Sequence, residues 1–217
     1  MTANDIAPPV LAAAMACRVI PVLTIDQPDH GAWVADALMR GGLPVAEVTL
    51  RSAGAEAVLA RMAQQPGLLA GAGTVVRHDQ VDRVHAAGAR FVVCPGFDPD
   101  IVQRCRDFDL TVFPGISTAT ELQAAARMDV EVVKLFPAEA VGWLRLLSAL
   151  AAPFPGMRFI PTGGITEENM TSYLSHPAVP AVGGSWIAPR AAVLAQDWDR
   201  IAGNARRAVE IAGRAAA

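Results

Sequence analysis

Among the 18 cationic side chains of this 217-residue chain, one is a lysine, Lys134, and the others are arginines. A genomic bias in base composition accounts for many arginines, but not for where the single lysine stands. Lys134 lies inside an apolar run, Val130-Glu-Val-Val-Lys-Leu-Phe-Pro137. In an extended segment it shares a face with Val132 and Phe136. Lysine is depleted in strands and seldom buried without a partner. An amine held away from water gives up its proton more readily, and the neutral amine is the nucleophile that Schiff-base chemistry needs. The plainer reading is a lysine that reaches the surface and pairs with Glu131 or Glu139.

A second polar set interrupts Ala46-Glu-Val-Thr-Leu-Arg51. Glu47, Thr49 and Arg51 fall on one face of a strand, and Ala46, Val48 and Leu50 on the other. Glu47 suits general acid/base work, and Arg51 offers a planar fork for an anion. A structural Glu–Arg pair at a sheet rim is the simpler alternative. Two further segments, Pro161-Thr-Gly-Gly164 and Gly183-Gly-Ser185, pair glycines with hydroxyls. Glycine lets backbone N–H groups converge on an anion, and Thr162 and Ser185 add O–H donors. Tight turns would use the same residues. Gly71-Ala-Gly-Thr74 begins like a dinucleotide fingerprint, but Val76 stands where that motif needs its third small residue. Thr74 reads instead as a hydroxyl at the mouth of a site. His30, His78, His85 and His176 are scattered, and no P-loop or nucleophile elbow is present, so neither a metal nor a cofactor is expected.

Holding such groups together requires a frame. Apolar, β-branched runs recur at 19–25, 46–51, 68–75, 91–96, 110–116, 130–137, 157–165 and 179–187. Each carries Gly, Pro, Thr or Ser within its last three residues and is followed by a helical stretch, near 29–41, 53–65, 79–88, 98–107, 118–128, 143–151, 167–175 and 197–213. Asp79 is expected to cap its helix and Gly88 to end it. Strands that are apolar on both faces and alternate with helices indicate a parallel sheet covered on both sides. Eight such units predict a (β/α)8 barrel of α/β class, with a doubly wound open sheet as the alternative. In a barrel, the site lies at the C-terminal ends of the strands, and the last two loops commonly hold phosphate. Residues 5–17 read as an extra helix within an N-terminal extension, 1–18, capping the barrel bottom. No linker divides the chain, so 1–217 is expected to be one domain.

Composition closes off other classes. Hydrophobic residues make up 53% and charged residues 18%, which excludes a disordered chain. A net charge of −3 leaves no basic footprint for nucleic acid. No run is long and apolar enough for a membrane span, and Met1–Val10 lacks a basic secretory start. Cys17, Cys94 and Cys105 are odd in number and far apart, which argues against a disulfide framework and for a reducing, cytoplasmic setting.

Seven strings in order carry a resemblance: Ile20-Pro-Val, Glu47-Val-Thr-Leu-Arg51, Gly71-Ala-Gly-Thr74, Pro114-Gly-Ile-Ser-Thr118, Lys134-Leu-Phe-Pro-Ala-Glu139, Pro161-Thr-Gly-Gly-Ile165 and Gly183-Gly-Ser-Trp186. Together they resemble the 2-keto-3-deoxy-6-phosphogluconate (KDPG) and 4-hydroxy-2-oxoglutarate aldolases, small class I aldolases of (β/α)8 fold. The resemblance implies a cytoplasmic homotrimer of the Entner–Doudoroff pathway. It would cleave a phosphorylated 2-keto acid into pyruvate and glyceraldehyde 3-phosphate without a cofactor. It implies Lys134 as the Schiff-base lysine and Glu47 as acid/base. Arg51 and Thr74 would hold the pyruvyl carboxylate, with Thr162 beside them. Gly163, Gly164 and Ser185 would hold phosphate, and Phe136 would pack beside the substrate. Relatives acting on the phosphogalactonate epimer tend to carry Pro-Leu-Asn where this chain has Thr49-Leu50-Arg51, which favours the gluconate branch. After Glu139 the chain departs from relatives that continue Asn or Cys then Gly-Gly; it reads Ala140-Val-Gly-Trp143. The alternatives are an aldolase for a related 2-keto acid, a phosphosugar isomerase barrel using Glu47 without a covalent lysine, and a non-catalytic phosphosugar-binding barrel.

Overall fold

The computed structural model describes residues 9–215. In chain order the elements are α1 (Pro9–Ala16), β1 (Val19–Leu23), α2 (Pro28–Arg40), β2 (Val45–Thr49), α3 (Ala55–Ala63), β3 (Leu69–Gly73) and α4 (His78–Ala86). Then follow β4 (Phe91–Val93), α5 (Pro99–Asp107), β5 (Thr111–Phe113), β6 (Gly115–Ile116), α6 (Ala119–Arg127), β7 (Val132–Leu135) and α7 (Trp143–Ala151). The chain ends with β8 (Arg158–Pro161), α8 (Met170–Leu174), β9 (Val182–Gly184), α9 (Arg190–Leu194) and α10 (Trp198–Arg214).

Every strand pairing is parallel. All residues of β1 and of β2 are buried, as strands between a packed interior and a helix layer must be. One sheet runs β5-β4-β3-β2-β1-β9 and a second runs β6-β7-β8. Two junctions join them into a barrel. Thr162, just past β8, bridges Gly183 of β9. On the other side, β5 and β6 are halves of one barrel strand, broken at Pro114, which has no N–H to give a ladder. The Pro114 carbonyl still accepts from the Lys134 N–H at 2.9 Å, so β7 stays in register there. The expected barrel is therefore the fold, with its fifth run, 110–116, realised as two short strands. Rings fill the interior: Phe91 and Phe113 are fully buried, with centroids 5.9 Å apart.

The helix starts follow local chemistry. Asp98 caps α5 by accepting from the N–H groups of Asp100 and Ile101. Thr118 and Glu121 form a reciprocal capping box on α6: Thr118 Oγ1 accepts from the Glu121 N–H, while Glu121 Oε2 accepts from Ser117 and Thr118 N–H. Asp79 is not a cap. It lies within α4 and pairs with Arg77 and Arg83, while the Gln80 side chain accepts the Arg77 N–H at 3.0 Å. Two other differences concern length. α8 starts at Met170, because Thr166 and Asn169 bond reciprocally and hold 166–169 as a turn. α9 has no counterpart in the sequence reading, since five residues show too little of a helical period. α1 packs against β1 and β3, as an extension under the barrel should, although the part of the expected helix at 5–8 lies outside the described residues. Among the described residues no helix is long and apolar enough to cross a membrane.

Candidate active site

A cavity of about 250 Å³ opens at the C-terminal ends of the strands. Glu47, Arg51 and Thr74 line it from β2 and the loop after β3, and Lys134 and Phe136 from β7 and just beyond. Thr162, Gly163, Gly164 and Ser185 line it from the loops after β8 and β9. Residues up to 163 positions apart in sequence thus share one space, from Val22 to Ser185.

Lys134 and Glu47 reach each other across the barrel. Lys134 Nζ stands 3.5 Å from Glu47 Oε1, and the two side chains are 6% and 3% exposed. Neither plainer pairing occurs: Glu131 faces Arg158, and Glu139 accepts from Tyr173. Arg51 likewise does not pair with Glu47. Glu47 Oε1 accepts no hydrogen bond from a described residue and faces Lys134 Nζ. A buried ion pair with so few supporting hydrogen bonds is weak as a stabilising device, because desolvation offsets the attraction. Its carboxylate fits only because position 73 has no side chain: a Cβ there would stand 2.0 Å from Glu47 Oε1. The Phe136 ring lies over the amine, its centroid 5.0 Å from Lys134 Nζ. It offers an apolar wall and a cation–π contact.

Beside this pair, Thr49 organises the wall that carries Arg51. Its hydroxyl donates to the Leu23 carbonyl at 2.6 Å and then accepts from Arg51 Nε at 3.1 Å. Thr24 Oγ1 lies 3.1 Å from the same hydroxyl. The Arg51 guanidinium is thereby oriented at an exposed position on the cavity wall. Thr74 has φ 60°, a conformation rarely taken by a β-branched residue. Such backbone strain concentrates at functional sites.

On the far side Gly163 and Gly164 have φ +93° and +84°, so two consecutive residues use the left-handed region that glycine allows. The loop carrying Ser185 is braced from α10: Asn204 Nδ2 donates to the carbonyls of Trp186 and Ile187 at 3.2 and 3.0 Å. Arg207 donates to Asn204 Oδ1 and faces Glu167 at 3.4 Å, which ties the same helix to the loop after β8. Backbone amides, a threonine and a serine around one space can take an anion, and an amine with a carboxylate can form and protonate an imine.

Val22, Thr49, Pro95, Ile165 and Gly183 also line the cavity without having been assigned a site role from sequence. Thr49 and Gly183 stand next to assigned residues and could have been added from strand alternation and the Gly-Gly step. Val22 and Ile165 are apolar residues that look like any other core position, and Pro95 reads from sequence only as a proline shaping the barrel rim. Cys94 is buried close by, and burial pushes its thiol well above the ordinary range, so it stays protonated and inert.

With that geometry in place, comparison with known proteins is informative. The family described as "Aldolase: KDPG and KHG aldolase" matches residues 11–203. The chain is similar to a 2-dehydro-3-deoxy-phosphogluconate aldolase of Treponema pallidum, 41% identical over 90% of this chain and 94% of the relative. It is similar to the KHG/KDPG aldolase of Escherichia coli K12, 40% identical over 88% and 91%. Among solved structures, a KDPG aldolase from Legionella pneumophila, with pyruvate captured as a covalent carbinolamine, superposes with a TM-score of 0.87. It is 37% identical, covering 92% of this chain and 97% of that one. The barrel, the order of its motifs and identities of about four in ten across nine-tenths of the sequence lead to one conclusion: the chain belongs to the KDPG and KHG aldolase family.

Proposed function

We propose that this protein is a class I aldolase that cleaves 2-keto-3-deoxy-6-phosphogluconate reversibly to pyruvate and glyceraldehyde 3-phosphate. The observation that carries the reading is the lone, buried Lys134 amine at 3.5 Å from Glu47, inside a cavity with a guanidinium on one side and paired glycines on the other. Lys134 Nζ, having passed its ammonium proton to Glu47, adds as the neutral amine to the C2 ketone; the carbinolamine hydroxyl then leaves as water with that proton, giving a protonated imine and the Glu47 carboxylate. The Glu47 carboxylate, through a water, takes the proton of the C4 hydroxyl. The C3–C4 bond breaks, its electron pair moves toward the iminium nitrogen, and glyceraldehyde 3-phosphate leaves. Glu47 returns its proton to C3 of the enamine, and hydrolysis frees pyruvate and the amine.

The remaining residues bind. Arg51 and Thr74 hold the pyruvyl carboxylate, with Thr162 beside it. Gly163, Gly164 and Ser185 receive the phosphate, and Phe136 packs along the carbon chain. The enzyme works as a cytoplasmic homotrimer, as the family resemblance implies. Its free, mostly buried cysteines suit a reducing compartment. The experiment is a steady-state comparison with Glu47→Gln, which keeps the shape and removes the base. Turnover should fall by about 10²–10⁴-fold, while the imine with pyruvate still forms. Full turnover by that variant would take the proton-transfer role from Glu47.

A further inference from the structure

Three carbonyls in a row beside the proposed phosphate site are engaged from the outside. The Thr162 carbonyl accepts from the Ala138 N–H at 2.8 Å and the Gly163 carbonyl from the Glu139 N–H at 3.1 Å. The Gly164 carbonyl accepts from Asn169 Nδ2 at 3.0 Å. In a planar trans peptide the N–H points opposite to its C=O. Fixing the carbonyls of Gly163 and Gly164 therefore turns the N–H groups of Gly164 and Ile165 away from Glu139 and Asn169. Both residues line the cavity.

Asn169 is the keystone of this arrangement. Its Nδ2 donates to Gly164 and, at 3.3 Å, to Glu139 Oε1; its Oδ1 accepts the Thr166 N–H at 2.8 Å. The Tyr173 hydroxyl, on a fully buried ring, donates to the same Glu139 oxygen at 2.6 Å. Burial and then the Glu139 carboxylate push the Tyr173 phenol above its ordinary range, so it remains a donor. The Glu139 side chain lies across position 164, where a Cβ would meet its Cγ at 2.4 Å. Nothing in the aldol chemistry above uses these three side chains.

We infer that Asn169 and Glu139, with Tyr173 fixing Glu139, are positioning residues that set the sense of the Gly163–Gly164 peptides and thereby the enzyme's preference for a phosphorylated over an unphosphorylated substrate. The inference rests on the aldolase reading. It joins the loop that follows the lysine strand to the loop that receives the anion.

Isosteric changes test it. Asn169→Asp puts an oxygen where Nδ2 donates, facing both the Gly164 carbonyl and the Glu139 carboxylate. Glu139→Ala removes the acceptor, Glu139→Gln keeps a carbonyl oxygen there, and Tyr173→Phe removes the hydroxyl that holds it. Each is assayed with 2-keto-3-deoxy-6-phosphogluconate and with its dephosphorylated analogue, alongside borohydride trapping with pyruvate. Loss of a buried hydrogen-bonded support should raise KM for the phosphorylated substrate by about ten- to a hundredfold in Asn169→Asp and Glu139→Ala. The shift in kcat should be much smaller, and pyruvate trapping should persist. Glu139→Gln should recover most of the loss and Tyr173→Phe should fall between. Equal losses on both substrates, or none on either, would overturn the inference while wild-type trapping left the aldolase reading intact. A wild-type protein that traps no pyruvate would remove that reading and the inference with it.

Discussion

Glu47 and Lys134 occupy a space nearly closed to water, and the backbone of a third strand makes that possible. Thr49 of β2 registers with Gly73 of β3, and the missing Cβ at 73 is the volume the Glu47 carboxylate fills. Gly73→Ala is therefore expected to displace the carboxylate from the amine. Overpacking of this size costs about 1–3 kcal/mol in stability, so the fold should survive while turnover drops toward that of Glu47→Gln. Thermal unfolding and steady-state kinetics on the same preparation check both halves. A variant with wild-type turnover would mean that the acid/base group sits elsewhere. The polar members of the site were legible in sequence because each breaks a local rule: a lysine and a glutamate in apolar runs, glycines doubled at strand ends. Val22 and Ile165 break none, which is why neither stood out, and Pro95 stood out only as a rim-shaping proline. The Glu139–Asn169–Tyr173 network was equally hidden, because its members belong to different elements and only the fold brings them together.

At the scale of elements, capping chemistry carries a pH signature. Burial alone would raise the Glu121 carboxyl, but the N–H groups of Ser117 and Thr118 and the Thr118 hydroxyl outweigh it and hold the group below the usual carboxylate range. A group depressed in the folded state contributes stability above its unfolded value and loses it as pH falls through the folded one. The unfolded value for Glu is about 4.3, so the α6 cap should weaken as pH drops below that. Urea midpoints for wild type and Glu121→Gln, measured from neutral pH downward, should differ at neutrality and converge in acid. A constant difference would show that the box does not depend on ionisation. Helix existence and the barrel were readable from period and spacing, but the ends were not. Asp79 looked like a cap and is an ion-pairing residue inside α4. Pro114 splits one run into two strands, because a missing N–H matters only once a neighbour needs it.

Taken whole, the molecule buries the Cys94 and Cys105 thiols in its core and holds the Lys134 amine, 6% exposed, in the cavity at the strand ends. Burial pushes the Cys105 thiol up to about 12, and raises Cys94 and Cys17 as well. Ellman's reagent should therefore react slowly with the native protein and titrate all three thiols once it is unfolded. Rapid native labelling of Cys94 or Cys105 would show that the barrel opens more than its packing implies. The central claim concerns the nitrogen. Native protein incubated with pyruvate and sodium borohydride, then digested and analysed by mass spectrometry, should carry one reduced pyruvyl group on the peptide containing Lys134. Because the chain holds no other lysine, the position of the adduct admits little ambiguity. Folded protein that takes up no adduct would contradict the covalent mechanism and point to a barrel that binds or isomerises phosphosugars without an imine.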